Sequence, residues 1–107
     1  MNQITPAELA AWLADASREP PLLLDVREPW EFETARIEGA RLIPMREVPA
    51  RVGELDRAKD VVAICHRGGR SQQVAMFLEK NGFARVHNLA GGVDSWARTV
   101  DPKMPVY

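Results

Sequence analysis

Two short apolar runs limit the folds that are open to this chain. Leu22–Val26 (LLLDV) contains one polar residue and Val61–Ile64 (VVAI) contains none, so neither run alternates between a polar and an apolar face. Such runs are typical of strands in a parallel sheet that is covered on both faces. Parallel neighbours need a long crossover, which is usually a helix. The runs therefore predict an α/β fold.

Helical patterns lie between and around these runs. Thr5-Pro6-Ala7-Glu8 is a capping box with proline at the first helical position, and apolar residues follow it at helical spacing. A second helix is predicted from Ser71 to Asn81, where Asn81-Gly82 is a stop signal. Weaker patterns predict helices at Val48–Leu55 and Val93–Arg98, strands at Leu42–Pro44 and Val86–Leu89, and a loop with a helical turn at 27–40.

The order of these elements predicts the architecture. Strands that alternate with helices imply right-handed crossovers and a small parallel sheet with helices on both faces. We expect a single domain over residues 1–107, because this length suits one core and no repeat, linker or low-complexity segment is visible.

Charge and composition exclude several classes of function. With 14 basic and 15 acidic residues the net charge is -1, which lacks the basic excess of a nucleic-acid-binding protein. One cysteine allows no internal disulfide and suits a reducing cytosol. The first residues lack the pattern of a signal peptide, and no run approaches the roughly 18 apolar residues of a membrane span. We therefore expect a cytoplasmic protein without a membrane partner.

The single cysteine, Cys65, directly follows the apolar run Val61–Ile64 and precedes a predicted helix. A lone cysteine after an apolar run is most often a packing residue. Its position argues otherwise, because ligands bind at the carboxyl edge of an open parallel sheet. The residues that follow it are His66, Arg67, Gly68, Gly69, Arg70 and Ser71.

This loop has the composition of an anion site. Gly68-Gly69 allows a positive φ and lets backbone N–H groups converge, while the start of the next helix adds its positive end. Arg67 and Arg70 add full charges, and His66 adds another when it is protonated. A thiol in this field is expected to be largely thiolate near neutral pH, which makes Cys65 a candidate nucleophile.

Two other uses of the cysteine are disfavoured. A metal site is not expected, because the remaining N/S ligands are His66 and His87, and adjacent Cys65 and His66 are poorly placed to chelate one ion. A dithiol redox role lacks a second cysteine. No cofactor is indicated.

Four segments of the chain carry recognisable motifs. They are LLLDVREPWEF (D-V-R-x-x-x-E-[FY], with Asp25, Arg27 and Phe32 in the matching places), ARIEGARLIP (G-H-I-x-G-A-x-x-I-P), CHRGGRS (C-x-x-G-x-R-S) and NLAGGVDSWA (N-L-x-G-G-x-x-x-W). Together these segments resemble the motifs of the rhodanese family of sulfurtransferases, and the resemblance covers nearly the whole chain. The chain departs from the family pattern at Ala35-Arg36, where the family has Gly-His, and at Glu38, where the family often has proline.

The resemblance implies a rhodanese-like α/β fold and transfer of sulfur through a persulfide on Cys65. The donor would be a small anion such as thiosulfate, and the acceptor cyanide, a thiol or a sulfur-carrier protein. Backbone amides of residues 66–71 would hold the persulfide, and Arg67 and Arg70 would meet the charge of the donor. Ser71 would either donate a hydrogen bond or cap the helix.

Two alternatives remain at this point. In the first, the domain relays sulfur between protein partners, so that thiosulfate is only a substitute donor. The second alternative, a related phosphatase or arsenate reductase, is disfavoured. The active-site loops of those enzymes resemble Cys-X5-Arg, whereas Cys65 and Arg70 are spaced as Cys-X4-Arg. Asp25 and Arg27 are interpreted as a structural ion pair, and Trp12, Trp30 and Trp96 as packing residues.

Overall fold

The computed structural model describes residues 1–107 and is built around a five-stranded parallel sheet in the order β1-β5-β4-β2-β3. Every neighbouring pair in this sheet is parallel, which confirms the predicted α/β architecture. The strands are β1 (Asn2–Ile4), β2 (Leu22–Asp25), β3 (Arg41–Leu42), β4 (Val61–Ile64) and β5 (Val86–Leu89).

Helices cover both faces of the sheet and form two separate core layers. One layer contains buried residues of α1 and α5, and the other contains those of α3 and α4. None of the helices has the length and apolar character that crossing a membrane requires. The helices are α1 (Pro6–Ala14), α2 (Pro29–Thr34), α3 (Val48–Arg51), α4 (Gly69–Lys80) and α5 (Gly92–Thr99).

The alternation of side chains along β4 decides where the cysteine lies. Val62 and Ile64 pack in the layer of α1 and α5, whereas Val61 and Ala63 pack in the layer of α3 and α4. Cys65 continues the second series and is buried in the layer that contains α4. Because side chains of a strand alternate strictly between faces, the cysteine is directed to the face where the next helix begins.

The predicted capping box starts α1 as expected. The Thr5 hydroxyl accepts a hydrogen bond from the backbone N–H of Glu8 (3.1 Å), and the Glu8 carboxylate accepts one from the backbone N–H of Thr5 (2.9 Å). Leu9 and Trp12 then lie buried on the inner face of the helix. This reciprocal cap, with Pro6 at the first position, explains why the helix begins at a fixed residue.

Other elements differ from the sequence predictions. Strand β1 was not predicted, because Asn2–Ile4 is a short and mostly polar segment that pairs with the distant β5. The helix predicted over Val48–Leu55 is only one α-helical turn flanked by 3₁₀ turns. Pro49 lies in its first turn, where proline is tolerated, whereas Gly53 disfavours continuation of the helix. Trp30 is not a core residue: it is 61% exposed on α2 and packs only at an edge, against the ring of Tyr107.

Candidate active site

The loop between β4 and α4 turns back so that its backbone faces the cysteine. Gly68 has a φ of 104° and is the N-cap of α4, which begins at Gly69, two residues earlier than predicted. From this left-handed conformation, which glycine adopts without steric cost, the N–H of Gly68 donates to Cys65 Sγ at 3.0 Å. The local geometry thus directs a backbone donor at the sulfur.

A second donor reaches the same sulfur atom. The Ser71 hydroxyl lies 3.2 Å from Cys65 Sγ and 2.5 Å from Asn88 Oδ1. A hydroxyl has one proton, so it donates to either the sulfur or the amide oxygen at a given moment. Ser71 is buried inside the first turn of α4, and Gly68 occupies the N-cap, so the alternative of Ser71 as helix cap is wrong.

Helix α5 supports the loop from its other side. The backbone N–H groups of Val93 and Asp94 donate to the carbonyls of Cys65 (2.9 Å) and His66 (3.0 Å). Gly92 has a φ of 59°, and a Cβ at this position would lie 2.4 Å from each of the same two carbonyl oxygens. The close approach of α5 to the cysteine therefore requires glycine at position 92.

Arg70 is not the free charge that the sequence suggests. It forms a bidentate ion pair with Glu31, with Nη1–Oε1 at 2.7 Å and Nη2–Oε2 at 2.9 Å. These hydrogen bonds from Arg70 lower the pKa of the Glu31 carboxyl to about 2, aided by the N–H of Glu28 and the hydroxyl of Tyr107. They also raise the pKa of Arg70, as does the nearby Cys65 to a smaller extent. Arg67 is exposed.

Tyr107 contacts His66 at the start of the loop and two charged residues beside it. The Tyr107 ring stacks on the His66 ring, with the centroids 4.0 Å apart and the planes at 11°. The Tyr107 hydroxyl contacts Arg27 Nη1 at 2.7 Å and Glu31 Oε2 at 2.8 Å. Burial raises the pKa of this hydroxyl to about 12, so it is protonated at physiological pH.

The predicted pair of Asp25 and Arg27 is present at the carboxyl end of β2. Both side chains are fully buried, with Arg27 Nη2 and Asp25 Oδ2 2.7 Å apart. The remaining donors of the guanidinium bind the backbone carbonyls of Glu31 (3.2 Å) and Ala35 (2.6 Å) and the hydroxyl of Tyr107 (2.7 Å). Arg27 thereby fixes the path of residues 27–35, which carries Glu31 to the site.

The structure therefore brings the cysteine together with some residues that the sequence analysis did not single out. Glu31 occupies the glutamate position of the D-V-R-x-x-x-E-[FY] motif, and Asn88 is the first residue of the N-L-x-G-G motif, so each had a local signal. Asn88 also donates to the carbonyl of Gly68 (3.2 Å), which ties β5 to the loop. No motif marks Tyr107.

Known proteins resemble this chain over most of its length. Residues 5–99 match the family model of the rhodanese-like domain. A sulfurtransferase of Allochromatium vinosum is 40% identical over 98 residues, which are 92% of this chain and 90% of that protein. The probable adenylyltransferase/sulfurtransferase MoeZ of Mycobacterium tuberculosis is 37% identical over 99% of this chain, which spans only 27% of that protein. A crystal structure of a rhodanese-like domain protein from Staphylococcus aureus has a TM-score of 0.85 at 30% identity and covers 100% of this chain and 99% of its own.

Proposed function

Because the chain belongs to the rhodanese-like domain family, we propose that it is a thiosulfate sulfurtransferase whose nucleophile is Cys65. The observation that carries the proposal is the environment of the sulfur atom. Cys65 Sγ receives a backbone N–H from Gly68 at 3.0 Å and faces the Ser71 hydroxyl at 3.2 Å. Donors aimed at one sulfur stabilise negative charge there, which is the requirement for a thiolate and for its persulfide.

The proposed reaction has two displacement steps at sulfur. In the first, the Cys65 thiolate attacks the outer sulfur of thiosulfate, the S–S bond of thiosulfate breaks, and sulfite leaves with the electron pair. The enzyme then carries the sulfur as a persulfide on Cys65. In the second, cyanide or a thiolate attacks the outer sulfur of this persulfide, and the Cys65 thiolate leaves. No net oxidant or reductant is consumed.

The other loop residues have supporting roles in this proposal. Gly68 and Gly69 allow the backbone of residues 66–71 to surround the transferred sulfur with N–H donors. Arg67, which is exposed, draws the anionic donor towards the loop. Arg70 and His66 lie at the two ends of the loop, and the Ser71 hydroxyl, which also contacts Asn88 Oδ1, is a second donor within reach of the sulfur. We infer that one domain of this family over residues 1–107 performs both steps without a metal or cofactor.

Mass spectrometry of the intact protein tests the proposal directly. After brief exposure to thiosulfate and removal of excess donor, the mass should rise by one sulfur atom. Addition of cyanide should restore the original mass and release an equal amount of thiocyanate. The matched control is Cys65→Ser, which should show neither change. An unchanged mass in the wild-type protein excludes thiosulfate as the donor.

A relay between protein partners is the second candidate, and an exposed aromatic residue favours it. Trp30 is 61% exposed and contacts the ring of Tyr107, so one exposed aromatic side chain adjoins the residues of the site. Tryptophan is enriched where proteins dock. Trp30→Ala should then slow transfer to a protein acceptor while transfer to cyanide is unchanged. Equal effects on both acceptors would leave the free enzyme as the better description.

Hydrolysis of a phosphate ester is less well supported. A phosphatase of this kind needs an arginine that is free to hold the equatorial oxygens of the phosphoryl group. Here Glu31 already balances part of the charge of Arg70 and accepts one hydrogen bond from each of its terminal nitrogens, although three N–H donors remain. The loop from Cys65 to Arg70 has the spacing Cys-X4-Arg, which is one residue shorter than the Cys-X5-Arg pattern that the loops of such enzymes resemble.

A further inference from the structure

The hydroxyl of Tyr107 links two residues of opposite charge. It lies 2.7 Å from Arg27 Nη1 and 2.8 Å from Glu31 Oε2. Because a guanidinium has only donors, the tyrosine oxygen accepts from Arg27, and its single proton is then donated to Glu31. The direction of both hydrogen bonds is therefore determined by the chemistry of the partners.

Glu31 continues this chain of hydrogen bonds into the loop of Cys65. The same Oε2 that accepts from Tyr107 also accepts from Arg70 Nη2 at 2.9 Å, and Oε1 accepts from Arg70 Nη1 at 2.7 Å. Glu31 is buried, whereas the Arg70 side chain is 38% exposed. The buried carboxylate is thus the fixed partner, and the arginine is the side chain whose position is set.

The ring of Tyr107 contacts the other end of the same loop. It stacks on His66, the residue after Cys65, with the ring centroids 4.0 Å apart. One side chain therefore contacts the start of the loop directly and the end of the loop through Glu31. Buried Arg27, held by Asp25, fixes the hydroxyl in turn.

We propose that Tyr107 is a positioning residue of the sulfur-transfer site: through its hydrogen bond to Glu31 it fixes the Arg70 guanidinium at the end of the Cys65 loop. The proposal rests on the proposed function, because it assigns a purpose to the position of Arg70. A hydroxyl between a buried cation and a buried carboxylate restricts both groups more than packing of the ring alone does. Without the hydroxyl, Glu31 loses one of its donors, and the Arg70 guanidinium is held less firmly at the end of the loop.

Alkylation of Cys65 tests this without requiring sulfur transfer. Iodoacetate and iodoacetamide have nearly the same size and react with the same thiolate, displacing iodide, but only iodoacetate is an anion. The ratio of their rates therefore reports the positive charge beside the sulfur, while thiol ionisation and access cancel. Because the chain has one cysteine, the reaction reports Cys65 alone.

Tyr107→Phe keeps the ring and removes the hydroxyl. It should lower the iodoacetate-to-iodoacetamide ratio by about two- to fivefold, the size of a charge interaction at a partly exposed site. Trp30→Phe is the matched control, since it alters a ring contact of Tyr107 but none of its hydrogen bonds, and it should leave the ratio unchanged. An equal change in both variants would show that packing is responsible and would overturn the proposal.

A double-mutant cycle then tests whether Tyr107 acts through Glu31. In a Glu31→Gln background the effect of Tyr107→Phe on the ratio should disappear, because the charged carboxylate that transmits it is absent. The same fold-change in both backgrounds, or no change in the wild-type background, contradicts the proposal. If the ratios behave as expected but thiosulfate leaves the protein mass unchanged, the positioning role stands and the proposed donor fails.

Discussion

Arg70 and Glu31 form a bidentate ion pair across 39 residues of sequence, with N–O distances of 2.7 and 2.9 Å. Glu31 is buried, and Arg70 follows the cysteine loop into helix α4. Glu31 therefore balances part of the charge of Arg70 and sets its position, while backbone N–H groups and the exposed Arg67 add to the positive charge around Cys65. This relationship also predicts how the two residues contribute to stability.

Removal of the arginine alone should be more harmful than removal of both charges. Arg70→Ala leaves the Glu31 carboxylate buried without its main partner, which we expect to reduce the free energy of unfolding by about 2–3 kcal/mol. Arg70→Ala combined with Glu31→Gln should recover at least half of this loss, because no buried charge remains unpaired. Urea unfolding of the wild type and of the single and double variants at pH 7 measures the coupling. Strictly additive losses would mean that the ion pair contributes little.

The acid limb of the stability curve should depend on Glu31. Its pKa falls from 4.5 to about 2 on folding, so the unfolded state binds the proton at higher pH than the folded state does. The resulting stabilisation is present above pH 4.5 and is lost as the pH falls towards 2, with a magnitude on the order of 3 kcal/mol. Glu31→Gln should flatten the stability curve in this range. A curve parallel to that of the wild type between these pH values would contradict the assignment.

Much of the fold follows from local sequence signals. The apolar runs of β2 and β4, the capping box of α1 and the stop signal after α4 each specify an element by short-range chemistry, and each is found near its predicted position. Strand β1 is not predictable from the sequence, because its mostly polar residues show no apolar run or alternation. It is a strand because it pairs with β5. The prediction that Trp30 packs in the core was wrong because α2 is a helix of six residues whose buried residue is Glu31, and Trp30 lies on its exposed side.

The features of the site also fall into those with a local sequence signal and those made by residues distant in sequence. The turn at Gly68 and the position of Cys65 at the end of β4 are local, so the sequence predicts them. The partners of the loop are not local: Glu31 lies 39 residues from Arg70, and Tyr107 lies 76 residues from Glu31. Nothing in the composition of residues 65–71 indicates that Arg70 is paired with a carboxylate. The pairing becomes apparent only from the path of residues 27–35, which buried Arg27 fixes and which brings Glu31 to Arg70.

Cys65→Ser should remove sulfur transfer while preserving the fold. The replacement keeps an acceptor for the N–H of Gly68 and changes the side-chain volume little, so we expect the free energy of unfolding to change by about 1 kcal/mol or less. Thiocyanate production from thiosulfate and cyanide should fall to the background rate of the buffer. Thermal unfolding of the same preparation is the control. A large loss of stability with activity proportional to the folded fraction would show that the cysteine is a packing residue.

Arg27→Met should destabilise the protein strongly, because Asp25 then remains buried without its cation. The expected loss is about 3–5 kcal/mol, the cost of leaving a buried charge unpaired. Arg41→Met is the matched control: it removes an ion pair with Glu54 at the surface and should cost about 1 kcal/mol or less. Urea unfolding of both variants gives the comparison. Similar losses in the two variants would show that burial of the pair has no particular weight.

Gly92→Ala should damage the site through backbone geometry. An alanine Cβ would lie 2.4 Å from the carbonyl oxygens of both Cys65 and His66, and the φ of 59° is unfavourable for any side chain. The start of α5 must then move away from the loop, so we expect a loss of stability above about 2 kcal/mol and reduced sulfur transfer. Gly39→Ala, with a φ of 85° but open space around the Cβ, isolates the conformational cost, and Gly53→Ala has neither problem. The stability losses should therefore decrease from position 92 to 39 to 53, and equal losses at 92 and 39 would show that close approach to the loop carbonyls is not the cause.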